Sequence, residues 1–212
     1  MARKTKASHM TKTVNFDISE TLMEDGREFS YGLCCRDITT DDTAIIIQGG
    51  QGSTIFGQGN KYMTMADNLR KKYGVAVLVV AANYDYTDLF TNELAFLYSK
   101  LPSVRKIYFM GNSKGAMLGA RFAHRHREIK RMLLVNMPLM INWHQSRAGL
   151  AEFAGEKITF VFGDKDPSYG YREIVDVVPY KTKHELITIP GANHNFVGLE
   201  EEFMELPGKY LM

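Results

Sequence analysis

From residue 44 to residue 189 the chain alternates between two kinds of segment, and this restricts the fold more than any other feature of the sequence. Compact apolar runs stand at 44–47 (AIII), 75–81 (VAVLVVA), 104–110 (VRKIYFM), 131–135 (RMLLV), 158–162 (ITFVF) and 185–189 (ELITI). Runs this short and this continuously apolar suit strands buried on both faces. Between and after them lie stretches with helical spacing, at about 60–73, 88–100, 114–127, 168–178 and 195–205. Such repetition predicts an α/β fold: a mostly parallel sheet flanked by helices, with right-handed crossovers and ligand sites at the carboxyl ends of the strands. Upstream, residues 12–18 (KTVNFDI) and 28–36 (EFSYGLCCR) alternate in strand fashion around Glu24-Asp25-Gly26. That turn chemistry predicts an antiparallel hairpin ahead of the parallel sheet.

At 212 residues the chain is long enough for one substantial core, so a single domain over 11–212 is the expectation. Residues 1–10, basic and polar and ending Ser8-His9-Met10, read as a tag remnant or disordered start. With 26 basic and 24 acidic residues, the net charge of +2 gives no electrostatic reason to expect nucleic acid or an anionic membrane as partner. The basic cluster from Arg121 to Arg131, with His124, Arg125, His126 and Arg127, falls where a helix is expected to end, and cations there favour the helix dipole. No run of about 18 apolar residues predicts a membrane span, and the start lacks the apolar stretch of a secretory leader, so a cytoplasmic location is expected. Cys34 and Cys35 are neighbours that point to opposite faces of a strand, which excludes a disulfide framework.

Directly after the strand expected at 104–110 comes Gly111-Asn112-Ser113-Lys114-Gly115, a G-x-S-x-G motif opening a helix with small residues at Ala116, Gly119, Ala120 and Ala123. A strand-to-helix turn this tight puts the serine in a strained conformation, and the flanking glycines remove side chains that would collide. A bare motif also fits a glycine-rich turn with a serine cap, so its partners decide. A serine hydroxyl needs a general base, and His194 is best placed, in the loop Pro190-Gly191-Ala192-Asn193-His194 after the last strand. His144 falls in an irregular insertion and His184 precedes its strand, which makes both weaker candidates. An acid must orient the base, and Gly163-Asp164-Lys165-Asp166-Pro167, after the strand at 158–162, offers two aspartates.

With serine, aspartate and histidine each following a different strand in that order, the sequence resembles the α/β-hydrolase family from about residue 12 to 212. The resemblance implies Asp166 as the acid, in a Gly-x-x-Asp turn, with Asp164 as runner-up, and His194 in a Gly-x-x-His segment. It implies two backbone donors for a developing oxyanion. One is the amide of Lys114; the other comes from the loop Gln48-Gly49-Gly50-Gln51-Gly52-Ser53, assigned to Gly50 with Gln51 next. Members often carry His-Gly where this chain has Gln48-Gly49, which leaves the anchoring of that loop open.

The same glycines do not make a dinucleotide loop, because Ile55 stands where the third glycine belongs, and no clustered His, Cys, Asp or Glu points to a metal. No cofactor is therefore expected. The segment 136–153, where relatives insert a cap, is short; Met137, Leu139, Met140, Ile141 and Trp143 either line an acyl pocket or bury a short helix. Tyr84 and Tyr86 are candidates for the border of the same cleft. The expectation is a serine hydrolase with little cap acting on a small ester or acyl compound. Acyl transfer or peptide cleavage on the same residues is the enzymatic alternative, and a ligand-binding protein that keeps the fold is the other. Oligomeric state has no signature in the sequence.

Overall fold

The computed structural model describes residues 15–24, 26–82 and 87–212. Eight strands form one sheet: β1 (Ile18–Glu24), β2 (Arg27–Cys34), β3 (Thr40–Gln48), β4 (Val75–Ala82), β5 (Lys106–Asn112), β6 (Ile129–Val135), β7 (Lys157–Gly163) and β8 (Lys183–Ile189). Their order is β1-β2-β4-β3-β5-β6-β7-β8. β3 to β8 pair in parallel, whereas β1 and β2 form an antiparallel hairpin that adds to β4. This is the mostly parallel sheet with a leading hairpin that the segment rhythm predicts.

The alternation within each run explains why the strands are continuously apolar. Ala44 and Ile46, Ala76 and Leu78, Met132 and Leu134, and Ile158 and Phe160 point into one core layer. Ile45 and Ile47, Val77 and Val79, Leu133 and Val135, and Val161 point into the other. Helices α2 (Phe90–Lys100), α3 (Lys114–Phe122) and α4 (Trp143–Glu152) cover the first layer. α1 (Lys61–Tyr73) and α5 (Glu200–Tyr210) cover the second. Each buried aliphatic or phenyl side chain contributes about 1.5–3 kcal/mol, so a sheet covered on both faces by such residues is held chiefly by its core.

Several expected boundaries move. The first strand lies at Ile18–Glu24, not 12–18, and residues 12–14 fall outside the described residues. As an edge strand it carries Ser19, Glu20 and Thr21, which break the expected apolar rhythm, while Glu24 paired with Arg27 keeps the turn in its predicted place. The stretch 168–178 forms successive 3-10 turns over Tyr169–Val177 instead of an α-helix. Gly170 and the β-branched Ile174, Val175 and Val177 lower its helical propensity. The helix expected at 114–127 ends at Phe122 and gives way to a 3-10 turn, Ala123–Arg125. The last helix starts at Glu200, not 195, because Phe196 (φ 56°) and Gly198 (φ 79°) hold left-handed backbone, and it runs through Pro207 to Tyr210. Within 136–153 the chain builds a ten-residue helix, α4.

The basic cluster after α3 is engaged locally. Arg125 and His126 face Asp88 at 3.5 and 3.1 Å, and Arg131 pairs with Glu156 at 2.8 Å. Among the described residues, no helix is long and apolar enough to cross a membrane, and no three His, Cys, Asp or Glu side chains converge as metal ligands would.

Candidate active site

Ser113 sits between the last residue of β5 and the first of α3, with φ 54° and ψ −115°. A non-glycine residue held there costs on the order of 1–3 kcal/mol and persists only where its surroundings impose it. They do so by close approach on both sides. A Cβ at Gly111 would stand 2.5 Å from the Ala116 amide nitrogen, and one at Gly115 would stand 2.4 Å from the Gln48 carbonyl oxygen. The two glycines of the motif therefore let β5, α3 and the end of β3 meet around one serine. The Ser113 amide donates to the Val135 carbonyl (2.8 Å), tying the turn to β6.

Two further loops at the same edge bring up the histidine and the acid. The loops after β7 and β8 are joined by backbone hydrogen bonds from Asp164 to Ile189 (3.2 Å) and from Lys165 to Ala192 (3.0 Å). Across that seam His194 Nδ1–H donates to Asp166 Oδ2 at 2.5 Å, and the Ser113 hydroxyl donates to His194 Nε2 at 2.9 Å. The carboxylate, which can only accept, fixes the imidazole proton on Nδ1 and leaves Nε2 as the acceptor for serine. The Asp166 side chain is fully buried, whereas that of His194 is 39% exposed. The second Asp166 oxygen, Oδ1, accepts the Ser168 amide at 2.7 Å, so the carboxylate cannot rotate away. Asp164 serves the loops and not the imidazole, since its Oδ1 accepts the Gly191 amide at 2.8 Å and ties the histidine loop to the end of β7.

A residue not singled out in the sequence locks this assembly. Asn136, fully buried just after β6, donates through Nδ2 to the carbonyls of Asn193 (3.2 Å) and His194 (3.1 Å) and accepts the Gly163 amide at Oδ1 (2.9 Å). Its φ of 46° is the left-handed backbone that asparagine tolerates better than most residues. One side chain thus joins three loops. Asn136→Ala, which leaves those three groups without it, is expected to lower the rate at Ser113 by roughly 10²-fold through small displacements of His194. Steady-state kinetics on the folded variant, with its cooperative unfolding checked by circular dichroism, measures this.

The glycine loop after β3 faces the serine. A Cβ on Gly50 would lie 3.3 Å from Ser113 Cβ and 3.7 Å from its Oγ. The loop wraps the ring of Tyr62, whose hydroxyl is held by the Asn112 side chain and the Gly50 backbone while burial pushes its pKa up to about 12. Gln51 is exposed, and Lys114 opens α3 with its amide in the first helical turn, where helix amides lack intrahelical acceptors. Gln48, at the root of the loop, is buried and donates through Nε2 to Glu93 Oε1 of α2 at 2.6 Å.

The weaker candidates lie elsewhere. His184 sits in β8, near its amino end, with Nε2 3.5 Å from Asp176 and its ring stacked on Tyr180 at 4.1 Å. His144 is exposed on α4. Met137 and Leu139 pack into the core, Trp143 is partly buried against it, and Met140 and Ile141 are exposed. Tyr84 and Tyr86 lie outside the described residues. A histidine acceptor on a serine hydroxyl, an acid on the far side of the ring and glycine backbone beside the same serine form an arrangement suited to nucleophilic attack on a carbonyl.

The sequence matches no family model and no curated protein. Its structure is similar to Est1E from Butyrivibrio proteoclasticus, with 21% identity and a TM-score of 0.70 over 90% of this chain and 96% of that one. It is also similar to dienelactone hydrolase from Anabaena variabilis, with 15% identity and a TM-score of 0.69 over 92% and 96% of the two chains. A third similar structure is XC6422 from Xanthomonas campestris, described as an α/β serine hydrolase without a lid, with 18% identity and a TM-score of 0.64 over 90% and 92%. These likenesses establish the fold.

Proposed function

From the α/β-hydrolase fold of this chain, and from the esterases and hydrolases that share it, we propose that the protein is a serine hydrolase that cleaves an ester or acyl bond through an acyl-enzyme. Ser113 is the nucleophile, His194 the general base and Asp166 the acid that orients it. The observation that carries this reading is the continuous relay from Ser113 Oγ through the His194 ring to a buried carboxylate, at 2.9 and 2.5 Å.

In the forward half-reaction Ser113 Oγ attacks the substrate carbonyl carbon while its proton passes to His194 Nε2. The imidazolium is stabilised by Asp166 next to Nδ1. Negative charge gathers on the carbonyl oxygen, toward the amide of Lys114 and the loop amides at Gly50 and Gln51. Collapse breaks the bond to the leaving group, which takes the proton from Nε2. Water, deprotonated by the same nitrogen, then attacks the acyl-enzyme carbonyl; the bond to Ser113 Oγ breaks, the acyl group leaves as the carboxylic acid, and Oγ takes the proton back from Nε2.

The substrate's acyl part is apolar in this reading. Phe56 after β3, Met140 and Ile141 after β6, and Val197 after β8 are large hydrophobic side chains exposed on loops at the carboxyl edge that carries Ser113. Large apolar side chains exposed on loops at this edge support an apolar acyl group over a charged one. A fluorophosphonate probe is expected to label the wild-type protein at Ser113, and a p-nitrophenyl ester series is expected to rise in kcat/KM with acyl chain length while aminopeptidase substrates stay uncleaved. Protein that never labels overturns the hydrolase reading; preferred cleavage of peptides overturns the ester assignment.

A further inference from the structure

Gln48 and Glu93 form a pair that the hydrolytic steps do not use. Both side chains are buried, Glu93 completely. Gln48 Nε2 donates to Glu93 Oε1 at 2.6 Å, and the two remaining heteroatoms, Gln48 Oε1 and Glu93 Oε2, are buried with no hydrogen-bond partner. Two acceptor oxygens left without donors in a water-excluded layer are unfavourable, and an ionised carboxylate there is worse. One proton resolves both problems. Placed on Glu93 Oε2, it would give the pair a donor for Gln48 Oε1, closing a ring of two hydrogen bonds between a carboxylic acid and an amide. No other protonation state of the pair satisfies all four heteroatoms at once.

The pair stands at a place that matters for the site. Gln48 is the last residue of β3, and Gly49, Gly50 and Gln51 follow it directly. The Gln48 carbonyl also borders Gly115 of the serine turn. Fixing the Gln48 side chain to α2 therefore fixes the exit direction of the loop that faces Ser113. We propose that Glu93 is a positioning residue for this loop, its protonated carboxyl closing an acid–amide pair with Gln48; the inference rests on the hydrolase reading for its catalytic consequence.

The surroundings favour the neutral acid. Burial, and then the charge of Asp88 just ahead of α2, push the Glu93 pKa up to about 8, while the hydrogen bond from Gln48 acts the other way. Asp88 is partly offset by Arg125, which faces it from the segment after α3, and the His126 ring also contacts its carboxylate. Lys114 of α3 lines the same small cavity as Gln48. On this face β3 and β4 present the apolar Ile46, Leu78 and Val80, and β2 presents, beside Val80, the buried ring of Tyr31, stacked on Phe96 of α2 at 4.1 Å. Because the folded-state pKa is raised above the ordinary 4.5, the proton is held at neutral pH and leaves as pH rises through about 8. Ionisation then sets a carboxylate against the Gln48 oxygen and releases the root of the loop.

The test compares wild type with Glu93→Gln, which supplies a neutral N–H donor in the same shape, and Glu93→Ala, which supplies none. Infrared difference spectra of wild type minus E93Q at neutral pH are expected to show the C=O stretch of a protonated carboxyl, fading above pH about 8. Esterase kcat is expected to fall roughly 10²-fold in E93A with KM little changed, as for a displaced oxyanion donor. It should be largely retained in E93Q, whose kcat should lack the alkaline decline of wild type. An absent band, an E93Q profile with the wild-type decline, or full kcat in E93A each overturns the proposal. A wild type that labels with no fluorophosphonate at any pH overturns the hydrolase reading and the positioning role together, and the infrared band, independent of turnover, still decides whether the pair carries a proton.

Discussion

Replacing Ser113 with alanine is expected to lower ester turnover on the order of 10⁶-fold, leaving only what substrate binding and the loop amides accelerate by themselves. The size follows from the lack of a substitute. Asn112, Lys114 and Gly115 flank the position, and among the described residues the hydroxyl on His194 Nε2 is that of Ser113. Without that Oγ the imidazole has no nucleophile to deprotonate and can only act on water held in no fixed place. Stability should change little, because alanine and serine share the strain of φ 54° at this turn and Ser113 makes no side-chain cap to α3. His194→Ala should cost nearly as much, and the double variant scarcely more than either, since the two groups act in one step. Single-turnover kinetics with an activated ester, alongside unfolding curves, measures both quantities. An S113A protein that keeps even a hundredth of wild-type kcat/KM removes the serine from the mechanism.

What the sequence disclosed depends on how local each signal is. The meeting of Ser113, Asp166 and His194 is legible in the sequence because a parallel sheet places its strand ends together, so residues directly after three apolar runs share an edge. The edge strand β1 was misplaced because one face of it meets only solvent and few of its positions need be apolar. The loop that carries His194 outlasts its expected length because the Asn193 side chain accepts the amides of Asn195 and Val197, a local hydrogen bond that competes with helix formation. Asn136 had no signal beyond its place after β6, since its partners lie 27, 57 and 58 residues away. Glu93 did carry one: in the helical stretch it falls three residues after Phe90 and next to Leu94, on the face that must be buried, where a carboxylate is out of place. The Gln48 departure from His-Gly and the misplaced Glu93 were one feature seen from two ends.

The second large effect separates the two aspartates after β7. Asp166→Asn is expected to lower kcat by about 10⁴-fold, whereas Asp164→Asn should stay within about tenfold of wild type. The reason lies in which atoms already have partners. At position 166 the Ser168 amide donates to Oδ1 at 2.7 Å, so an asparagine there must turn its carbonyl oxygen toward Ser168 and its NH₂ toward His194. An NH₂ group facing Nδ1 requires that nitrogen to be bare, which moves the ring proton to Nε2. Nε2–H cannot accept the proton of Ser113, and the imidazolium that forms on attack would lose its buried counter-charge as well. The Asp164 carboxylate is exposed and accepts one amide, from Gly191 at 2.8 Å. An asparagine carbonyl accepts that amide equally well, so the seam between the loops persists. Measuring kcat for both variants on one ester, with ¹⁵N spectra of the His194 ring to report its tautomer, checks the argument at two levels. A D166N enzyme with wild-type kcat, or a D164N enzyme that loses it, would reassign the acid.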